Sequence, residues 1–470
     1  MGVMVDAGAR ARLTPARQEG RTEMLRITRT MQEQARKAPR ALLLGYNGAN
    51  NTGAEALLLS DIEDVRAVLG PEAFITVPTL NEANLRRYLK EDSHLRIAPI
   101  PSIYFGAAWK LVSEHDLVVL VEGSCYMDTW TSALLWAFLW ATHCAHAMGK
   151  PCLAYAVDAG TMRPLNQRLT RQEASKTDLI ITRSRAAAER MRAWGVTAPM
   201  EVTADNAFTF RTDPADEGLL QREWPGASSG VVGLAVVDFH LWPVVMRPWG
   251  RKEHCYKWPY YFSRSAERCR ASAELASGYA ALADQIIERY GKSVALIGME
   301  QLDEPLAREI RGRMVHADAA RVFSSRQYNA SQMTVLLRSL DLLVTSRYHA
   351  CVLSLAAQVP QVAVGHDLRL KTIYSELGLH DGFFVEPDPQ RMFAMLGERI
   401  GTLIANPSPV RDTLRRGYEE HLASARRNRQ LLGAFVQAHG WARARQIAGF
   451  EQVESELRLP VDPLLTRLES

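Results

Sequence analysis

The chain has no long hydrophobic run, no C-x-x-C pair and little net charge, and each absence removes a class of protein. Its most apolar stretch, Ala133–Ala141, is nine residues long, where a membrane-crossing helix needs about 20. His143 and His146 follow closely, so the stretch reads as a buried helix. No apolar segment of the secretory kind precedes Arg40, which implies a cytoplasmic protein. The six cysteines, at 125, 144, 152, 255, 269 and 351, are scattered. That suits reduced, mostly buried thiols and gives no disulfide framework. His143, Cys144 and His146 have no third ligand at supporting spacing, so no metal site is expected. Net charge is only +4, and residues 1–40 carry nine Arg/Lys against four Asp/Glu. The remainder sums to −1, which speaks against a nucleic-acid partner.

What is present is an ordinary globular composition, 47% hydrophobic and 23% charged over 470 residues, enough for two domains with appendages. Short apolar runs at Ala41–Tyr46, Phe74–Val77, Leu117–Val121, Cys152–Val157 and Leu179–Thr182 alternate with helical patterns. One of these helices starts near Glu55, with Leu58, Ile62, Val65 and Leu69 along one face. The pattern stops at a polar, turn-rich stretch and restarts with Val231–Val237, Val294–Gly298, Leu340–Thr345 and Gln361–Val364. Alternation of this kind predicts α/β architecture, with parallel sheets facing a central cleft. The expected layout is a basic extension over 1–40, a Rossmann-like domain over 41–212 and a linker over 213–229. A second Rossmann-like domain follows over 230–395 with an aromatic-rich insertion at 240–265, then a helical segment over 396–470. Within the last, Leu414, Tyr418, Leu422 and Leu432 predict an amphipathic helix over Arg411–Gln437. Nothing in the sequence sets an oligomeric state.

Ligands of open α/β sheets lie beyond the carboxyl ends of the strands, so the residues after each strand carry the functional reading. Gly45-Tyr-Asn-Gly-Ala-Asn-Asn-Thr-Gly-Ala-Glu55 joins the first strand to its helix. It matches neither a dinucleotide fingerprint nor a Walker loop. It suits close approach of an anion to backbone N–H groups, and equally a tight, capped turn. Ser346-Arg-Tyr-His-Ala350 places Arg347 and His349 past another strand. They fit an anion clamp with a proton carrier, or a structural Arg with a capping His. Arg183 and the segment His366-Asp-Leu-Arg-Leu-Lys371 put further cations at the same edges. Glu122 and Asp128 are isolated carboxylates that serve as acid or base, or as caps. The insertion packs Trp242, Trp249 and Trp258 among Tyr, Arg and Lys, either to bind sugar or as a small core of its own.

Taken together, these segments resemble the polysaccharide pyruvyl transferase family over roughly residues 41–385. Gly45–Ala56 is similar to that family's G-x-x-G-x-x-N-x-G-D-E-A loop, and Val118–Gly123 to its strand-plus-glycine segment. Ala147–Cys152, Thr177–Arg183, Val202–Phe208, Ser346–Ala350, and His366–Arg369 with Leu377-Gly378 follow in the family's order. The chain departs from the pattern at Ala54 and Ser184, where the family has Asp. It departs also at Glu122-Gly-Ser124, where the family has a glycine triplet, and at Arg369, where it has Lys.

The resemblance implies two Rossmann-like domains in a GT-B-like arrangement. It also implies phosphoenolpyruvate as donor substrate, no cofactor, and transfer of pyruvate as a cyclic ketal to a sugar of a polysaccharide or lipid-linked glycan. In that scheme Arg183, Arg347 and Arg369, with Gly48, Asn51 and Gly53, hold phosphoenolpyruvate. His349 is the acid, Glu55 or Asp205 the base, and Trp242, Trp249 and Trp258 meet the acceptor. The basic extension and the insertion leave room for peripheral contact at the inner face of a membrane. Two other readings stay open: a glycosyltransferase with a nucleotide-sugar donor, and a non-catalytic glycan-binding relative.

Overall fold

The structure, a computed structural model, describes residues 39–227, 230–241, 244–365 and 367–441. Nearly all of the expected basic extension, the tail from 442 onward and Trp242 therefore lie outside the described residues.

Two wholly parallel sheets organise the chain. The first runs in the order β3 (Leu95–Pro99), β2 (Phe74–Thr79), β1 (Arg40–Leu44), β4 (Leu117–Leu120), β5 (Cys152–Val157), β6 (Leu179–Thr182), β7 (Met200–Val202). The six-stranded second sheet combines β8 (Val231–Ala235), β12 (Ser293–Gly298), β13 (Ala320–Ser324), β14 (Leu342–Thr345), β15 (Gln361–Val364) and β16 (Phe384–Val385). Its order is β13-β12-β8-β14-β15-β16. Between β8 and β12 the insertion forms a small antiparallel sheet, with β11 (Tyr260–Phe262) between β9 (Val244–Met246) and β10 (Cys255–Lys257).

The central strands are the ones the apolar runs announce, because both faces of a parallel sheet are covered by helices. Strands β1, β4, β5 and β14 are buried at almost every position. The edge strands β3, β7, β13 and β16 are not in the sequence reading. Strands β3, β7 and β13 are half covered and carry Arg96, Glu201 and Arg321, which breaks the apolar signature, and β16 is only two residues long. The segment read as a linker contains a short helix, Leu219–Glu223, whose Leu219 and Leu220 enter the second core.

Two helices fasten the lobes together. Helix Thr52–Leu69, capped by Asn51, is buried on nearly every side. Leu58, Ile62 and Val65 pack into the first sheet's core and Ala56 and Leu57 into the second's. Its buried polar side is a surprise: Asp61 and Asp64 accept hydrogen bonds from Asn206, and Asp64 also from Tyr155. Helix Ser408–Ala438 crosses from lobe to lobe. Val410, Leu414 and Ala425 lie in the second core, whereas Leu431, Leu432 and Phe435 lie in the first. Asn428 and Arg429 lock the crossing, through Thr203, Ala204 and Asp64.

Because Phe435 fills the first lobe's core from the far end of the sequence, Phe435→Ala should cost about 3–5 kcal/mol of unfolding free energy. Urea denaturation checks this. A cost below about 1 kcal/mol would mean that the C-terminal helix does not support that lobe.

Candidate functional site

The carboxyl ends of both sheets open onto one cleft. From the first lobe it is lined by the loop after β1 (Gly45 to Ala54), by the segment after β4 (Glu122, Ser124) and by Trp130. The second lobe supplies Met299 and Glu300 after β12, Arg347, Tyr348 and His349 after β14, and Arg369 after β15. Tyr256 and Tyr260 of the insertion close one side.

The glycine loop is stitched to the opposite lobe by backbone. Thr52 N donates to Met299 O at 2.8 Å and Gln301 N to Asn50 O at 3.0 Å, a one-residue antiparallel bridge centred on Asn51 and Glu300. Gly48 makes this path possible. It sits at φ +76°, and a Cβ there would meet Thr79 and the Asn81 carbonyl. Gly48 thus shapes the loop without lining the cleft, whereas Asn51 and Gly53 do line it. The imidazole of His349 lies directly on Gly53, where a methyl group would overlap Nδ1 and Cγ.

The three arginines converge, as expected, but each arrives already paired. Arg183 is fully buried, its side chain 0% exposed, between Asp158, 2.9 Å from Nε, and Asp205. Arg347, 13% exposed, meets Asp303 through two nitrogens and Glu300 at 3.2 Å. Arg369, 12% exposed, forms a forked pair with Asp367 and donates to Ser124 Oγ at 3.0 Å. Burial of a guanidinium without a carboxylate would cost several kcal/mol, which is why acids occupy the same strand ends as the cations. Tyr348 joins the group, its ring 4.4 Å from the Arg183 guanidinium and 5.9 Å from that of Arg369.

Several expected roles are displaced by this geometry. Arg183 does not reach the cleft; it is a buried strut beneath Tyr348, and Gly123 lies so close that a Cβ would strike its guanidinium. Glu55, 1% exposed, faces away from the cleft. One of its oxygens accepts from Arg87 at 2.6 Å and the other from Ala330 N at 3.0 Å, tying the first helix to the second lobe. Burial pushes its carboxyl up to about 8 against the pull of Arg87. Asp205 is likewise sealed. It caps a 3-10 turn through Ala207 N, pairs with Arg183 and lies 3.6 Å from His349 Nε2. Burial alone would raise its carboxyl, but Arg183 and His349 outweigh burial and hold it well below the usual carboxylate range. Asp205 therefore lies behind His349 as the buried partner of Arg183, not on the cleft wall. Trp249 and Trp258 are exposed and absent from the cleft lining, whose aromatic groups include Trp130 and the insertion's Tyr256 and Tyr260.

Glu122 and Glu300 are the cleft's carboxylates. Glu122 accepts from Tyr46 N at 3.3 Å and Ser124 N at 3.0 Å. Glu300 is pushed up by burial and held back by Arg347; it accepts from Tyr46 Oη, which is 2.7 Å from Tyr256 Oη. Sequence reasoning passes over Glu300, Asp303 and Asp158. The strand-end rule that singled out the arginines applies equally to them, since Glu300 and Asp303 follow β12 and Asp158 follows β5 directly.

Three of the departures from the family pattern gain a physical meaning. Ser184 caps helix Arg185–Ala193 by accepting from Ala187 N at 3.2 Å, a task Ser and Asp perform about equally well. Ala54, in contrast, removes a carboxylate from the cleft lining, while Glu122 adds one to the same lining.

Several solved structures share this architecture. HepE from Anabaena, crystallised with UDP-glucose, matches with a TM-score of 0.55 at 14% identity, over 85% of this chain and 100% of that one. MnaA from S. aureus with UDP gives 0.54 at 11%, covering 86% and 97%. A putative UDP-N-acetylglucosamine 2-epimerase from Listeria monocytogenes gives 0.53 at 13%, covering 86% and 96%. At such identities the likeness is one of fold: paired parallel sheets in the GT-B-like arrangement. No curated protein sequence matches the chain. The sequence profile of the polysaccharide pyruvyl transferase family matches residues 51–367, a span that runs from the glycine loop to the partner of Arg369. The chain belongs to that family.

Proposed function

We propose that the protein transfers pyruvate from phosphoenolpyruvate to two hydroxyls of a glycan, forming a cyclic ketal and releasing phosphate. The observation that carries the reading is the meeting of Arg347, Arg369 and His349 with the glycine loop in one cleft at the ends of both sheets. A donor with a carboxylate and a phosphate calls for cations from more than one strand, and those of β14 and β15 are the ones within reach. Each arginine is fixed by its aspartate and keeps N–H groups for the donor, so the clamp is rigid before substrate arrives.

In this scheme His349, protonated, gives a proton to the vinyl CH2 of the donor. Its Nε2 faces Asp205, which leaves Nδ1, the edge on Gly53, as the atom that delivers the proton. The oxocarbenium formed at C2 is attacked by one acceptor hydroxyl. Phosphate then departs from C2 toward the arginines, leaving an oxocarbenium again, and the second hydroxyl closes the ketal with its proton passing to the released phosphate. Glu122 takes the place of Glu55 and Asp205 as the base for the acceptor hydroxyl, since it lines the cleft and they do not.

Structural neighbours carrying UDP or UDP-glucose favour one competing reading, a nucleotide-sugar donor in the same cleft. Phosphoenolpyruvate should raise the melting temperature by about 2 °C or more at saturation, and UDP-glucose should not; the reverse result overturns the proposal. With a glycan acceptor supplied, His349→Ala and Glu122→Gln should each lower phosphate release about 100-fold or more. Retained turnover in either variant reassigns that role, and binding of glycans by the native chain with no phosphate release would make it a non-catalytic relative. Gly53→Ala suits the helix it enters but displaces the imidazole. Turnover should fall at least about tenfold, with a loss of only about 1–3 kcal/mol of unfolding free energy from crowding His349.

A further inference from the structure

Eight large hydrophobic side chains are exposed among the described residues, and six of them lie on two elements beside the cleft. Ile103, Phe105 and Trp109 belong to helix Phe105–Ser113 and the turn before it, Met246 to strand β9 of the insertion sheet, and Trp249 and Trp258 to the loops between its strands. The two groups adjoin. Met246 is paired across the sheet with Tyr260, whose hydroxyl donates to Ser102 O at 2.8 Å, and Tyr260 and Tyr104 line the cleft together. An apolar patch of this kind on an otherwise charged surface marks an interaction site.

We propose that this face docks on a lipid bilayer bearing anionic headgroups, with the cleft opening toward it. The composition selects a bilayer over other occupants. Tryptophan supplies three of the six side chains, and its amphipathic ring prefers the headgroup level of a membrane. Cations border the patch and outnumber the acids beside them: Arg247, Arg251 and Lys252 lie between Met246 and Trp258 in the insertion and Lys110 follows Trp109, against Glu253 and Glu114. Such a surface complements anionic lipid. Two copies facing each other across it would set like charges together, which disfavours self-association. None of the described helices is long and apolar enough to cross a membrane, so the attachment rests on the surface.

Vesicle flotation tests the proposal and needs no substrate, so it stands or falls apart from the assignment of the donor. The full chain should float with phosphatidylcholine vesicles containing phosphatidylglycerol and bind pure phosphatidylcholine weakly, with added salt reducing binding. The double variant W109S/W249S should partition about tenfold less, and R251E/K252E about tenfold less with its salt dependence lost. L165S/V315S, altered at the two exposed apolar positions outside the patch, should match the native chain. Melting temperatures close to native confirm that the variants fold. Failure to float, flotation unchanged by both patch variants, or a dimer that W109S/W249S dissolves would each overturn the proposal.

Discussion

Asp205 is the atom-level junction on which the site depends. Buried behind the cleft, it pairs with Arg183 from its own lobe and faces the His349 imidazole from the other. Neither charge would be tolerated in that interior alone. Their pairing sets the guanidinium beneath Tyr348 and leaves His349 one nitrogen to turn toward the glycine loop. The lobes are therefore also joined by polar contacts near the cleft, among them Arg369 on Ser124 and Ala330 N on Glu55, and not only by apolar packing at the rear.

Around that junction the chain repeats one solution. Cationic strand ends are matched by acidic ones: Arg347 by Asp303 and Glu300, Arg369 by Asp367. Pairing fixes each fork in advance and lowers the net positive charge of the cleft. The electrostatics of the site thus favour a ligand recognised by shaped hydrogen bonding as well as by charge. The exchange of a family carboxylate at position 54 for Glu122 on the neighbouring strand end keeps the acid count of the lining while moving the acid.

Legibility in the sequence followed burial. The central strands β1, β4, β5, β6, β14 and β15 are continuous apolar runs because helices cover them on both faces, and the alternating pattern reveals them within a residue or two. Edge strands β3 and β13 hide behind Arg96 and Arg321. In the site, Arg347, His349, Arg369, Asn51 and Gly53 are found by the strand-end rule and do line the cleft. Arg183, Glu55 and Asp205 satisfy the same rule or the same motif order, yet point into the protein. Trp249 and Trp258 of the insertion are surface groups, while its Tyr256 and Tyr260 face the cleft.

The amino-acid order alone settles the α/β architecture, the family and the strand ends where the chemistry gathers, since these rest on periodicity and on local residue types. It does not settle which side chains at those ends see solvent. That is decided by contacts between residues far apart in sequence, such as Ala330 N on Glu55, Asp158 on Arg183 and His349 on Gly53. Only when the second lobe closes on the first does each of these polar groups acquire the partner that either removes it from the cleft or fixes it there.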